Sequence, residues 1–235
     1  MIDLARFEQV RTEWQAATRV PTPDAERFRT MKTDAEELVA AGRWASGPSD
    51  LLSVLGRSRD ELIHSRMIAW LLVPTNRHGL GRRFLTGFAD RLWPDDQLLR
   101  AGPILVETEE SGSAIDDVGE LREARADIVI RSGGVTIVVE NKVDAGEQPQ
   151  QCERLYWAWA SEAADARYVF LTPSGRTPTT IQSDAARSGW KAMSYANLRD
   201  VLASALDGSD ASPTSGRSTA RQYLDTLTLA VVPRS

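Results

Sequence analysis

The stretch ADIVIRSGGVTIVVENK places Asp127, Glu140 and Lys142 in one short run. It reads as two strands around Gly133 and Gly134, because glycines at both central positions meet the positive φ angles of a two-residue hairpin turn. That turn sets Ser132 opposite Val135 and so carries Asp127 to a position across from Glu140, roughly 5 Å away at Cβ. Side chains alternate along a strand, so Glu140 and Lys142 share a face and Asn141 points to the other. Val135, Ile137 and Val139 on one face and Val138 on the other make the second strand apolar on both sides, as an internal strand is. Two acids would then stand at the rim of a core, where they repel unless something neutralises them. A divalent cation does so, and a site of oxygen ligands with one or two carboxylates suits Mg²⁺, with Mn²⁺ as a substitute. Lys142 beside it would polarise a water or hold a phosphate oxygen. E-x-K alone is a weak pattern, and a hairpin with solvated charged ends, balanced by Lys142 or Arg125, is the competing reading.

The elements that must position these groups follow an α/β order. Helices are expected over 3–18 and 24–41, split by PTPD, where Pro21 and Pro23 break the pattern and Asp24 helps open the second helix. DELIHSRMIAWLL, residues 60–72, reads as an enclosed helix ended by Pro74. A helix over about 79–92 leads to a strand at 104–110, then to the hairpin. The segment EQPQQCERLYWAWASEA reads as a helix, RYVFLT at 167–172 as a strand, and SYANLRDVLASAL as a helix. The polar run 208–217 reads as a loop before a last helix over 218–231. Residues 1–50 are expected to form an N-terminal helical extension and 51–235 the main domain.

The order Asp127, Glu140-Asn141-Lys142, then a glutamine on the next helix resembles the PD-(D/E)XK nuclease superfamily. ELIHSRMIAWLLVPTNRHGLGRRFL, residues 61–85, is similar to the N-terminal helix of one bacterial branch, E-x-x-H-S-x-x-x-A-W-L-L-x-P followed by H-G, and is far more specific than E-x-K. The resemblance covers about residues 58–172. Ala126 stands where the family motif has proline, and Val73 where this branch often has an acid. After the lysine, AGEQPQQCERLY resembles a Q-x-x-x-Y motif with Gln151 as its glutamine. Leu155 occupies the aromatic position, Tyr156 comes one place late, and Gln148 and Gln150 are rivals for the glutamine.

The resemblance implies a restriction-endonuclease-like α/β core, a central mixed sheet flanked by helices, and Mg²⁺-dependent phosphodiester hydrolysis. It implies that Asp127 and Glu140 bind metal with the Asn141 backbone carbonyl as an extra ligand. Glu61 would support the metal, Lys142 would activate or orient the water, and Gln151 would steady the lysine or the substrate. DNA is preferred over RNA as substrate because most of the superfamily cuts DNA, and restriction or anti-phage defence follows by association. A catalytically silent binding or partner subunit, and a metal-free interaction domain, are the alternatives.

Other residues carry competing readings. Glu61 would also favour a helix dipole as a first-turn glutamate. His64 and Ser65 lack any oxyanion motif and read as structural or substrate-side groups. Six arginines, Arg57, Arg59, Arg66, Arg77, Arg82 and Arg83, face only Asp60 and Glu61 between positions 57 and 83. They form a solvated face or contact phosphates, with Arg82, Arg83 and Arg66 the first choices. Tyr156, Trp157 and Trp159 would pack a helix on a sheet rather than stack on bases. Asp144 and Glu147 serve either as further ligands or as loop and cap residues.

Composition bounds the rest. A net charge of -5 gives the chain as a whole no pull toward nucleic acid or anionic lipid, so a polyanion site must be local. One cysteine, Cys152, excludes an internal disulfide, and two histidines argue against a histidine-based metal centre. No signal peptide or membrane span is read, so a cytoplasmic protein is expected, with a homodimer or a partner protein compatible.

Overall fold

The computed structural model describes residues 4–17, 24–43, 47–94, 99–115, 118–160, 165–208 and 215–232. The chain divides into two compact units, residues 1–47 and 48–235. The first holds helices α1 (Leu4–Ala17) and α2 (Ala25–Ala40). As expected, Asp24 opens α2, its carboxylate accepting from the Glu26 and Arg27 N–H groups. The Pro21 and Pro23 break lies outside the described residues.

The second unit is built on a five-stranded mixed sheet in the order β1 (Leu105–Ile115), β2 (Leu121–Ser132), β3 (Val135–Asn141), β4 (Asp165–Thr172) and β5 (Trp190–Ser194). The first three strands are antiparallel, and β3, β4 and β5 run parallel. β3 is the central strand and is buried at every position. The hairpin turn is the one anticipated: Gly133 and Gly134 have φ of 56° and 90°. The register runs from Ser132 opposite Val135 to Ile128 opposite Val139.

Alternation on the strands sorts the core into two layers. Ile128, Ile130, Val135, Ile137, Val139, Val169 and Leu171 pack with residues of α4 (Glu61–Leu72), α5 (Arg83–Leu92), α8 (Tyr195–Asp207) and α9 (Ser215–Thr226). Val129, Val138, Tyr168 and Phe170 pack with Cys152, Leu155 and Trp159 of α6 (Gln151–Ala160). Two of the three α6 aromatics join the core, Trp159 fully buried and Tyr156 packed on Tyr168, whereas Trp157 is half-buried outside it and its Nε1–H donates to Glu153 at 2.8 Å.

The fold departs from the sequence reading in places where the pattern is short or polar. Gly79 and Gly81 take φ of 72° and 56°, so α5 begins only at Arg83. α3 (Leu51–Val54), α7 (Asp184–Gly189) and β5 were not anticipated. The first two are single turns or little more, and β5 is a five-residue edge strand with only Trp190 and Met193 buried. β1 and β2 outrun the expected strands because residues 110–115 and 121–126 pair only with each other, as a two-stranded arm. There Gly112 lies so close to the Trp159 ring that a Cβ would meet it at 2.8 Å. The last helix starts at Ser215 and ends in a π-helical turn, Leu227–Val231. Residues 209–214 of the expected 208–217 loop lie outside the described residues.

Candidate active site

The two-sided burial of β3 ends at Glu140, whose side chain follows Val138 onto the α6 face. Glu140 is only 1% exposed. One carboxylate oxygen, Oε1, accepts from the Lys142 ammonium at 2.6 Å and from Gln151 Nε2 at 2.6 Å. The other, Oε2, is buried with no hydrogen-bond partner. Asp127, on the neighbouring strand, accepts from the Asn141 N–H at 2.7 Å. Asn141 turns the other way, as alternation requires, and is fully buried. Its amide donates to Ser65 Oγ and to the Glu61 carbonyl, both at 3.1 Å, and its Oδ1 accepts from the Tyr195 hydroxyl at 2.6 Å.

α4 is locked to the end of β3 through the residues of its E-x-x-H-S run. Asp60 caps the helix by accepting from the Ile63 N–H. Ser65 Oγ donates to the Glu61 carbonyl at 2.9 Å. His64 is buried between the Tyr223 hydroxyl and the Ser58 carbonyl, both at 2.9 Å, and burial pushes its pKa down. It is structural. Glu61, the first residue of α4, spends Oε1 on three backbone N–H groups, those of Val143, Asp144 and Ala145, at 2.8, 3.2 and 3.0 Å. Its Oε2 stands 4.0 Å from the Lys142 ammonium.

Asp127, Lys142, Glu61, Gln148 and Gln151 line one cleft of about 330 Å³, together with Glu109, Arg125 and Arg154. A comparison with protein families matches residues 49–225 to the PD-(D/E)XK nuclease superfamily. The chain belongs to that superfamily. No curated protein and no solved structure gives a significant match. The matched region takes in the whole sheet, and the mixed five-stranded sheet between helices is the restriction-endonuclease-like α/β core.

In this PD-(D/E)XK member the electrostatics follow from burial. Desolvation, then the charge of Asp127, pushes the Glu140 carboxyl up to about 8 against the pull of Lys142. Desolvation likewise raises Asp127. Burial disfavours the Lys142 ammonium, but Glu140 outweighs it and the net shift is upward. Among the described residues no three His, Cys, Asp or Glu side chains form a ready cation cage. The donor set nonetheless fits a hard divalent ion of the kind held by one or two carboxylates and waters. The buried Glu140 and the half-buried Asp127 repel one another, and one oxygen of Glu140 lacks any partner.

The loop after Lys142 has its own fastenings. Asp144 pairs with Arg59, whose Nε donates at 2.7 Å. Glu147 accepts from the Thr179 and Thr180 N–H groups, from both threonine hydroxyls, and from Arg176. Both acids are therefore loop clamps. Of the arginines chosen from sequence, none lines the cleft, and Arg66 pairs at 3.7 Å with Glu109, which does. Arg82 donates to the Leu99 and Gly102 carbonyls. Arg83 lines a separate groove of about 490 Å³ with Asp90, Asn197 and Asp200. Sequence reasoning missed Glu109, which sits in a run, ILVETEE, that reads as an unbroken strand. The cleft also takes in Arg125, weighed only as a counter-charge to the acids, and Arg154.

Proposed function

We propose that the protein is a metal-dependent nuclease that hydrolyses phosphodiester bonds, with DNA preferred over RNA. The observation that carries this reading is the Glu140 carboxylate: one oxygen is fixed by Lys142 and Gln151, and the other is buried without a partner beside a second carboxylate. Asp127, Glu140 and the Asn141 backbone carbonyl would hold Mg²⁺, or Mn²⁺ in its place. The ion supplies charge for the phosphate oxygens and lowers the cost of deprotonating water.

The remaining work falls to the chain itself. Lys142 is kept cationic and in place by Glu140, which suits it to orient the attacking water and to offset charge on the phosphate. Gln151 donates to the same Glu140 oxygen as Lys142 and so steadies that carboxylate. Glu61 supports the site from the side: its Oε1 gathers the 143–145 backbone, which fixes where Lys142 leaves β3. Attack of water on phosphorus then breaks the bond to the leaving sugar oxygen, which takes up a proton. Restriction or anti-phage defence is the setting we associate with such an enzyme.

The test is cleavage of plasmid and single-stranded substrates in Mg²⁺, Mn²⁺ and EDTA, with Asp127→Ala and Lys142→Ala alongside the wild type. Metal-dependent cutting that disappears in both variants is the expected result. A wild type that cuts nothing with either metal overturns the reading in favour of a silent binding or partner subunit.

A further inference from the structure

Glu109 has a left-handed backbone, φ 55°, in the middle of β1. A glycine would take that conformation freely, whereas a glutamate adopts it only at a cost. The β1–β2 ladder pairs Thr108 with Ile128 and Glu110 with Ala126 and skips Glu109 and Asp127 between them. The strand faces change over at the same point. Ile128 and Ile130 belong to the core layer of α4 and α8, while Ala126 and Ala124 pack in the layer of α6. The kink thus makes Glu109 and Asp127 neighbours at the turning point of the arm, and both line the cleft.

There the Glu109 carboxylate bridges two guanidinium groups from different elements. Arg66 of α4 lies 3.7 Å from its Oε2, and Arg125 of β2 lies 3.4 Å from its Oε1. The two arginine side chains are 62% and 66% exposed, and each makes one long contact to Glu109. Exposed pairs of this kind are weakly held. A phosphodiester offers the same charge with better acceptor geometry for guanidinium donors. We infer that Arg66 and Arg125 form a subsite for a backbone phosphate of the strand entering the cleft, and that Glu109 occupies this subsite in the free protein as a built-in competitor. This rests on the nucleic-acid substrate proposed above. The strained backbone is what places a carboxylate between the two arginines, a position a regular strand would not offer.

The test is fluorescence anisotropy in EDTA with fluorescein-labelled duplex DNA, single-stranded DNA and RNA, titrated with salt. Arg66→Ala and Arg125→Ala should each weaken binding and each reduce the slope of log affinity against log salt by about 0.7 to 0.9. Glu109→Gln should tighten binding roughly threefold, the size of an exposed ion pair. That gain should vanish in the Arg66→Ala/Arg125→Ala background. Glu109→Asn, which tolerates the left-handed backbone, should behave like Glu109→Gln and guards against a folding defect. Arginine variants that bind like the wild type, or a Glu109→Gln gain that persists without the arginines, overturn the subsite alone. A wild type that binds none of the three probes overturns the nucleic-acid reading and the subsite with it.

Discussion

Under the proposed metal-binding role, Glu140 and Asp127 set stability against function at single atoms. A buried carboxylate beside a half-buried one costs stability, and nothing in the core requires both. Asp127→Asn keeps an acceptor for the Asn141 N–H and removes the repulsion. Its melting temperature in EDTA should rise by about 3 °C, the shift expected for roughly 1 kcal/mol in a chain of this size. Saturating Mg²⁺ or Mn²⁺ should stabilise the wild type, by about 2.7 kcal/mol at a hundredfold excess over Kd, and leave Asp127→Asn unmoved. A lower melting temperature for the variant would mean that the local hydrogen bond outweighs the repulsion. At this scale much of the hairpin was legible: the turn glycines set the register, whose paired ladder stops at Ile128 opposite Val139, one step short of Asp127 and Glu140, and alternation puts Lys142 beside Glu140. Glu109 was not, because a left-handed residue inside a strand leaves no mark on the pattern of residue types.

At the scale of elements, α4 and the loop after β3 act as a brace. The E-x-x-H-S run is chemically suggestive, yet its histidine and serine serve packing and its glutamate gathers backbone N–H groups. Glu147 extends the brace to the 177–180 segment and is only 2% exposed in its side chain. Burial raises its carboxyl, but Arg176 and the Thr179 and Thr180 donors outweigh that and hold it at about 2, below its ordinary 4.5. A depressed folded-state pKa means that the stabilisation is present above about 4.5 and is lost as pH falls toward 2. Glu147→Gln should therefore be less stable than the wild type at neutral pH by on the order of 3 kcal/mol. Denaturant melts should show the difference closing as the pH approaches 2. A difference that stays constant with pH would assign the loss to packing and not to charge.

At the scale of the whole molecule, the buried core among the described residues belongs to one unit. α2 has no buried residue, while the two core layers of residues 48–235 enclose the central sheet. A fragment of residues 48–235 should fold cooperatively and melt within about 3 °C of the full chain, a difference near 1 kcal/mol. Failure of the fragment to fold, read by circular dichroism, would show that the first helices are needed for the sheet domain. No described helix is long and apolar enough to cross a membrane.

What the sequence by itself determined is what depends on local pattern: the α/β order, the internal strand β3, its turn and register, and the glutamine helix that follows. These are set by periodicity and by glycine's access to positive φ, which neighbours in the chain suffice to specify. Tertiary structure alone decided where the charges went. Arg82 turned onto carbonyls, Glu61 onto a loop, and Arg66 and Arg125 onto Glu109. The partner of a charged side chain is whichever opposite group the fold brings within a few ångströms, and that distance is set by residues far apart in the chain.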